Sequence, residues 1–100
     1  MTSRPAHLVL YKKHDCQPCS IAYENLEYVL NLSPELEQYV TVIQKEDQPE
    51  LVQENDLTLY PTVLIVDDEQ KVLSRKVGVR YLTTHWWHSA LTAIHLRTAQ

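Results

Sequence analysis

The sequence predicts a single α/β domain, 1–100, in which a central four-stranded mixed β-sheet carries helices on both faces. The length of 100 residues suits one domain with one modest core, and 44% hydrophobic and 22% charged residues are ordinary globular values. Short apolar runs of strand length alternate with segments whose apolar residues recur at helical spacing. The resulting order, β-α-β-α-β-β-α, begins with a parallel crossover unit and continues with a hairpin.

The first half of the chain supplies a strand, a helix and a second strand. Residues 7–11 form a short apolar run that suits a sheet. From Pro18 to about Asn31 the apolar residues follow a helical period. Pro18 is tolerated in the first helical turn because the N–H that it lacks would have no partner there. Residues 40–43 predict the second strand.

The second half adds a short helix, a hairpin and a last helix. Asp47, followed three residues later by Glu50, resembles a capping box that opens a short helix through about residue 55. Residues 62–67 are almost all apolar, as expected of a central strand covered on both faces, and residues 71–77 pair with them in a hairpin.

The last helix is predicted to start after a threonine cap, at Thr83 or Thr84. One stripe of this helix presents apolar side chains to the core. They are Trp87, Ala90, Leu91 and Ile94.

Charge and hydropathy narrow the expected location and partners. A net charge of -4 argues against a general nucleic-acid binder. No segment approaches the ~20 apolar residues of a membrane span, so no membrane partner is expected. The N-terminal residues contain no apolar run of signal-peptide length, and we therefore expect a cytoplasmic protein.

The two cysteines of the chain, Cys16 and Cys19, lie between the first strand and the first helix, where open α/β sheets tend to bind ligands. A permanent disulfide is disfavoured in a reducing cytosol. His85 and His88 formally complete a Cys₂His₂ set, but the gap of about 65 residues is far outside compact zinc-finger spacing. We therefore predict no metal site and favour a redox pair.

The position of the cysteines predicts different roles for them. Cys16 lies just before a helix, where unpaired N–H groups and the helix dipole stabilise a thiolate and lower its pKa. Cys19 lies one turn further in and should be more buried. We therefore assign Cys16 as the nucleophile and Cys19 as the resolving thiol. Nearby residues 12–14 add positive potential, which Asp15 opposes.

Two segments resemble the thioredoxin superfamily, including its glutaredoxin-sized members. LVLYKKHDCQPCSIAYENL, residues 8–26, is similar to the family's strand, active-site loop and helix, and Pro18 keeps the proline before the second cysteine. YPTVLIVDDEQKVLSRKVG, residues 60–78, resembles its second signature. The resemblance implies that Pro61 is cis and packs opposite the cysteines. It also implies that Tyr60 offers its backbone to a substrate strand and that Gly78 admits a close approach.

The resemblance implies a minimal thioredoxin-like fold and a dithiol–disulfide oxidoreductase that needs no cofactor. Pro18, Tyr60, Pro61 and Gly78 would contact substrates. The implied partners are proteins that contain disulfides and an electron donor such as a thioredoxin reductase.

The sequence departs from the thioredoxin pattern in several places. Asp15 replaces the tryptophan that usually precedes the first cysteine, and Leu10 replaces a buried aspartate. The N-terminal strand and helix of full-length thioredoxins and the paired glycines of glutaredoxins have no counterpart. A binding or scaffold protein with incidental or redox-sensing thiols, and a module that holds zinc or a cluster, therefore stay open as alternatives.

Overall fold

The computed structural model describes residues 6–98, and it has the predicted order of four strands and three helices. The strands are β1 (Ala6–Lys12), β2 (Val40–Gln44), β3 (Thr62–Asp67) and β4 (Val72–Val77). The helices are α1 (Gln17–Leu32), α2 (Pro49–Glu54) and α3 (Thr84–Thr98). Short 3₁₀ segments join them at Pro34–Tyr39, Lys45–Asp47 and Val79–Tyr81. No helix within residues 6–98 is long and apolar enough to cross a bilayer.

The sheet is mixed, with the strand order β2-β1-β3-β4. β1 pairs with β2 in parallel and with β3 antiparallel, and β3 pairs antiparallel with β4. The predicted hairpin and central strand are confirmed. The same register defines two ends of the sheet. At the cysteine end β1, β2 and β4 finish and β3 begins; at the turn end, residues 67–71 connect β3 to β4.

Alternate side chains of β1 enter two separate cores, because successive residues of a strand point to opposite faces. Leu8 and Leu10 face α1 and α3, while Val9 and Tyr11 face α2. The larger core is closed by Trp87 of α3, which is fully buried. Its Nε1–H donates to the carbonyl oxygen of Ala22 at 3.2 Å, so the indole satisfies its donor. Helices therefore cover both faces, as predicted.

The capping box predicted for α2 is wrong. Asp47 ends the preceding 3₁₀ segment, the N-cap is Gln48, and no side chain caps the helix. With Asp47 as the cap, Gln48 would be the first helical residue. The ring of Pro49 disfavours helical backbone angles at the residue before it, and Gln48 has φ -137° and ψ 60°. The helix therefore begins at Pro49.

The caps of the two long helices agree with the prediction. Cys16 is the N-cap of α1. Thr83 precedes α3, and its Oγ1 accepts the N–H of Trp86 at 3.1 Å. Trp87, Leu91 and Ile94 are buried, whereas Ala90 is only half-buried.

Candidate functional site

Cys16 and Cys19 are joined by a disulfide across the first turn of α1, with their Cα atoms 5.2 Å apart. The Sγ of Cys16 accepts the N–H of Cys19 at 3.2 Å, so this sulfur itself caps the helix. A helix N-terminus offers unpaired N–H donors and the positive end of a dipole. The first sulfur of the pair therefore occupies a position that stabilises a thiolate once the disulfide opens.

The two sulfurs differ in exposure. Cys19 is only 2% exposed, whereas Cys16 is half-buried at the surface. Proline at the second position of α1 is compatible with this turn because no hydrogen bond is lost. The predicted difference in burial is confirmed, and Cys16 is the more accessible of the two cysteines.

The loop that leads to Cys16 has a special backbone conformation and is tied to the neighbouring strand connection. Asp15 has φ 52°, a left-handed conformation that Asp tolerates better than most residues. The main-chain N–H of His14 donates to Glu46 Oε2 at 3.3 Å. A hydrogen bond from the Gln44 side chain, more than the bond from His14, lowers the pKa of the Glu46 carboxyl. Glu46 thus holds the loop as a carboxylate.

The Tyr60–Pro61 peptide bond is cis, as the resemblance implied. Pro61 is buried at the cysteine end, directly before the residue of β3 that pairs with Tyr11. Its carbonyl oxygen accepts the N–H of Gly78 at 2.9 Å, which joins the two loops that follow α2 and β4. None of the main-chain hydrogen bonds found outside regular helices and strands in residues 6–98 involves Tyr60.

Gly78 has φ 98° and ψ 145°, a combination that is almost restricted to glycine. A Cβ atom built on it would meet no other atom within 4 Å. The backbone conformation therefore requires glycine, and the missing side chain would point into open space. This geometry is compatible with the predicted approach of a substrate.

Leu10 is completely buried in the core formed with α1 and α3. Asp67 is the one buried charged side chain within residues 6–98, and it lies at the turn end. There its carboxylate accepts the N–H groups of Glu69 and Lys71, each at 2.9 Å. The position that the resemblance associates with proton removal from the second cysteine is therefore apolar.

His85 and His88 do not join the cysteines. They line a small surface pocket with Tyr28 and Leu32, at the C-terminal end of α1. The cysteines lie at the opposite end of this helix, and ten residues of helix span about 15 Å. Among residues 6–98, no three His, Cys, Asp or Glu side chains come together as metal ligands.

A groove of about 640 Å³ lies elsewhere, along the face of the sheet that carries α2. Its lining includes His7, Thr41, Val66 and Asp68, and none of the predicted site residues belongs to it. This groove is therefore separate from the disulfide.

Tyr60 has neighbours that the sequence analysis missed. The Nζ atoms of Lys13 and Lys45 lie 5.9 and 5.3 Å from the centroid of its ring. Burial, more than the nearby Glu46 charge, raises the pKa of the Tyr60 phenol. The signal for Lys45 was present in the pattern: parallel strands end at the same end of a sheet, so the residue after β2 must lie near the residues after β1.

The comparisons with known proteins support the fold alone. No family model and no curated protein match the chain. Among solved structures, thioredoxin-2 of a malaria parasite is similar over 93% of this chain and 86% of its own, with a TM-score of 0.71 and 12% identity. Fasciola hepatica thioredoxin is 20% identical, with a TM-score of 0.69, over 92% of this chain and 82% of its own. Chloroplastic thioredoxin z is 22% identical, with a TM-score of 0.66, over 93% and 80%. This chain has a thioredoxin-like fold with a cysteine pair at CxxC spacing.

Proposed function

We propose that this protein is a thiol–disulfide oxidoreductase that reduces disulfides in other proteins. One observation carries the proposal: a half-buried Cys16 sulfur caps α1 and accepts the N–H of Cys19, while Cys19 is 2% exposed behind it. A cysteine that only senses oxidation needs no such difference between two thiols. A reductase needs it, because one thiol must reach the substrate and the other must wait.

The exchange proceeds in two steps from the reduced protein. The Cys16 thiolate attacks one sulfur of the substrate disulfide, forms a mixed disulfide and releases the other substrate sulfur, which takes a proton. Cys19 then loses its proton and attacks Cys16, which releases the second substrate sulfur. The substrate gains two electrons and two protons, and the protein is left with the Cys16–Cys19 disulfide.

The loops at the cysteine end supply the surface for the substrate. We propose that an extended substrate segment pairs with the backbone of Tyr60, beside Pro61, and passes over Gly78. The open space next to the Gly78 Cα supports this path. Pro18 is exposed beside the disulfide and would contact the same segment.

Turnover requires an electron donor that reduces the Cys16–Cys19 disulfide again. We propose a disulfide reductase of the thioredoxin reductase class, acting in the cytoplasm, with no cofactor bound to this chain. Cell fractionation combined with rapid alkylation tests the location. A largely reduced pair in the cytoplasmic fraction is expected, and a secreted or fully oxidised protein would contradict the proposal.

Insulin reduction driven by dithiothreitol tests the activity, because the released insulin B chain precipitates and scatters light. The wild-type protein should shorten the lag before precipitation in proportion to its concentration. A Cys16→Ser variant should behave like dithiothreitol alone. If the wild-type protein is no faster than dithiothreitol, the chain is a binding or scaffold protein instead.

A further inference from the structure

Three tyrosine rings near the cysteine end each hold one or two cationic side chains. The Nζ atom of Lys12 lies 5.3 Å from the centroid of Tyr23. Lys13 and Lys45 share the ring of Tyr60, as described above. Attraction between a cation and an aromatic face holds a flexible side chain in place without neutralising its charge. The ammonium groups are thus positioned and keep their donors for a ligand.

The third ring, Tyr81, carries Lys76 and Arg80. Lys76 Nζ lies 5.9 Å and Arg80 Cζ 5.6 Å from its centroid. Tyr81 is 52% exposed, so this pair of cations faces solvent next to Gly78. Lys76 and Arg80 therefore lie on the β4 side of the proposed substrate path, and the cations that follow β1 and β2 lie on its other side.

The register of the sheet brings these five cations to one end. Lys12 is the last residue of β1 and pairs with Gln44, the last residue of β2, so Lys45 follows directly beside it. Lys76 pairs with Val63, two residues after Pro61. We name these cations the basic rim. It consists of Lys12, Lys13, Lys45, Lys76 and Arg80.

The basic rim differs in charge from the rest of the chain. Five of the nine Lys and Arg residues of the chain belong to the rim, although the net charge of the chain is -4. Four carboxylates, Asp15, Glu46, Asp47 and Asp56, belong to the loops at this end. Glu46 is already engaged by Gln44 and His14. Five rim cations against four carboxylates leave this end of the molecule with an excess of one positive charge, whereas the rest of the chain has a net charge of -5.

We propose that the basic rim selects substrates whose disulfide lies in an acidic, extended segment. This inference rests on the proposed reductase activity and narrows it to a substrate class. Aspartate and glutamate side chains on either side of the target cystine would meet Lys13 and Lys45 on one side and Lys76 and Arg80 on the other. Charge complementarity of this kind acts mainly on the rate of encounter and is screened by salt.

The test uses three peptides that share one intramolecular disulfide and differ only in flanking residues, which are glutamate, glutamine or lysine. The fully reduced protein is mixed with each oxidised peptide, and product thiols are measured by mass spectrometry in a single turnover. Each rate is divided by the rate of the same peptide with dithiothreitol, a small reductant that attacks as a thiolate, as Cys16 does, but carries no basic groups. This division removes the effect of the flanking charges on the peptide's own reactivity.

At an ionic strength of about 0.02 M, we expect the acidic peptide to react roughly tenfold faster than the neutral one and the basic peptide to react slowest. Near 0.5 M salt the difference should shrink to about twofold, because the Debye length falls to a few ångströms. Lys13→Glu and Lys45→Glu should each reduce the preference several-fold. Lys71→Glu makes the same charge change at the turn end and should leave the preference intact.

Equal normalised rates for the three peptides, or an acidic preference that Lys71→Glu abolishes as strongly as Lys13→Glu does, would overturn the inference. In both cases the peptides are still reduced, so the proposed oxidoreductase function stands. If no peptide is reduced faster than in a Cys16→Ser control, both the inference and the proposed function are wrong.

Discussion

The two ends of the sheet use the same strands for opposite purposes. At the turn end, the buried carboxylate of Asp67 accepts two main-chain N–H groups and closes the β3–β4 connection. At the cysteine end, the loops are held by main-chain contacts, such as Gly78 N–H to the Pro61 carbonyl, and by a sulfur that caps a helix. At the turn end a buried side chain closes the connection, whereas the cysteine end has a half-buried cysteine sulfur and a Tyr60 main chain that takes part in none of the main-chain hydrogen bonds found between its loops within residues 6–98.

The two ends also differ in buried charge, which within residues 6–98 lies at the turn end. Hydrogen bonds to a charged group contribute about 1.5–3 kcal/mol, so the carboxylate of Asp67 stabilises the hairpin. The Leu10 position at the cysteine end is fully buried and apolar. An active site that removes a proton from a buried thiol benefits from a nearby base. Substitutions at one end, compared with matched substitutions at the other, can show whether the lack of a carboxylate near Cys19 limits the reaction.

The largest effect is expected from replacing each cysteine separately, because the two thiols are assigned different steps of the reaction. Cys16→Ser should abolish insulin reduction, because the exposed nucleophile is lost. Cys19→Ser should keep the first step and lose the second, so mixed disulfides through Cys16 should accumulate on a gel run without reductant. Alkylation of the reduced wild-type protein, followed by mass spectrometry, should modify Cys16 first. If Cys19 is alkylated faster than Cys16, or if only Cys16→Ser accumulates mixed disulfides, Cys19 is the nucleophile and the assigned roles are wrong.

The element order was predictable because each element carries its own local signal. The unbroken apolar run of β3 and the threonine cap of α3 act within a few residues of sequence. The start of α2 was not predicted correctly, because Pro49 overrides the capping signal of Asp47 through the backbone of Gln48. The cysteine pair and Pro61 were found by their residue types. The sharing of Tyr60 by Lys13 and Lys45 was missed, since it depends on the parallel pairing of β1 and β2.

The next effect concerns the missing carboxylate at the cysteine end. Leu10→Asp should place a proton acceptor in the buried position, and we expect turnover at neutral pH to rise roughly threefold, a small part of the ~10²-fold that a positioned base can provide. The same change should lower the free energy of unfolding by about 2–5 kcal/mol, because a buried carboxyl group lacks partners. Stopped-flow measurement of the resolving step gives the change in rate, and urea denaturation followed by circular dichroism gives the change in the free energy of unfolding.

Leu8→Asp is the matched control for this experiment. Leu8 is equally buried, in the same strand and core, but two residues nearer the turn end. We expect the same loss of stability with no gain in turnover. Leu10→Asn separates polarity from proton transfer and should give no gain either. A folded Leu10→Asp variant with unchanged turnover would show that another group receives the proton or that this step is not limiting.

A smaller effect is expected from substitutions at residues with positive φ, one at each end of the sheet. Gly78→Ala forces a Cβ onto a residue with φ 98° and should lower the free energy of unfolding by about 1–3 kcal/mol. It should also slow reduction of protein substrates more than that of small disulfides, because the Cβ points into the proposed substrate path. At the turn end, Gln70 has φ 67°, so Gln70→Gly should raise stability by about 1 kcal/mol. Urea denaturation measures both changes; equal kinetic effects of the two variants would contradict the assigned path.

The smallest effect is expected at His7, near the turn end, where β1 pairs with Val66 of β3. Burial lowers the pKa of the His7 imidazole, whose Nε2 lies 2.7 Å from Thr41 Oγ1. The folded protein therefore binds this proton less readily than the unfolded chain, whose histidine pKa is about 6.5. The stabilising contribution is complete above that value and is lost as the pH falls through the lower, folded value.

The free energy of unfolding, measured by urea denaturation, should fall more between pH 7.5 and pH 5 in the wild-type protein than in His7→Gln. Glutamine keeps a polar side chain at this position but does not titrate. The difference should be small, because the ring is only half-buried and solvent screens its charge. Insulin reduction by His7→Gln should equal that of the wild type, since the cysteines lie at the other end of the sheet. Identical pH dependence of stability in the two proteins would show that His7 does not contribute to the acid sensitivity of the fold. Slower insulin reduction by His7→Gln would show that the two ends of the sheet are coupled.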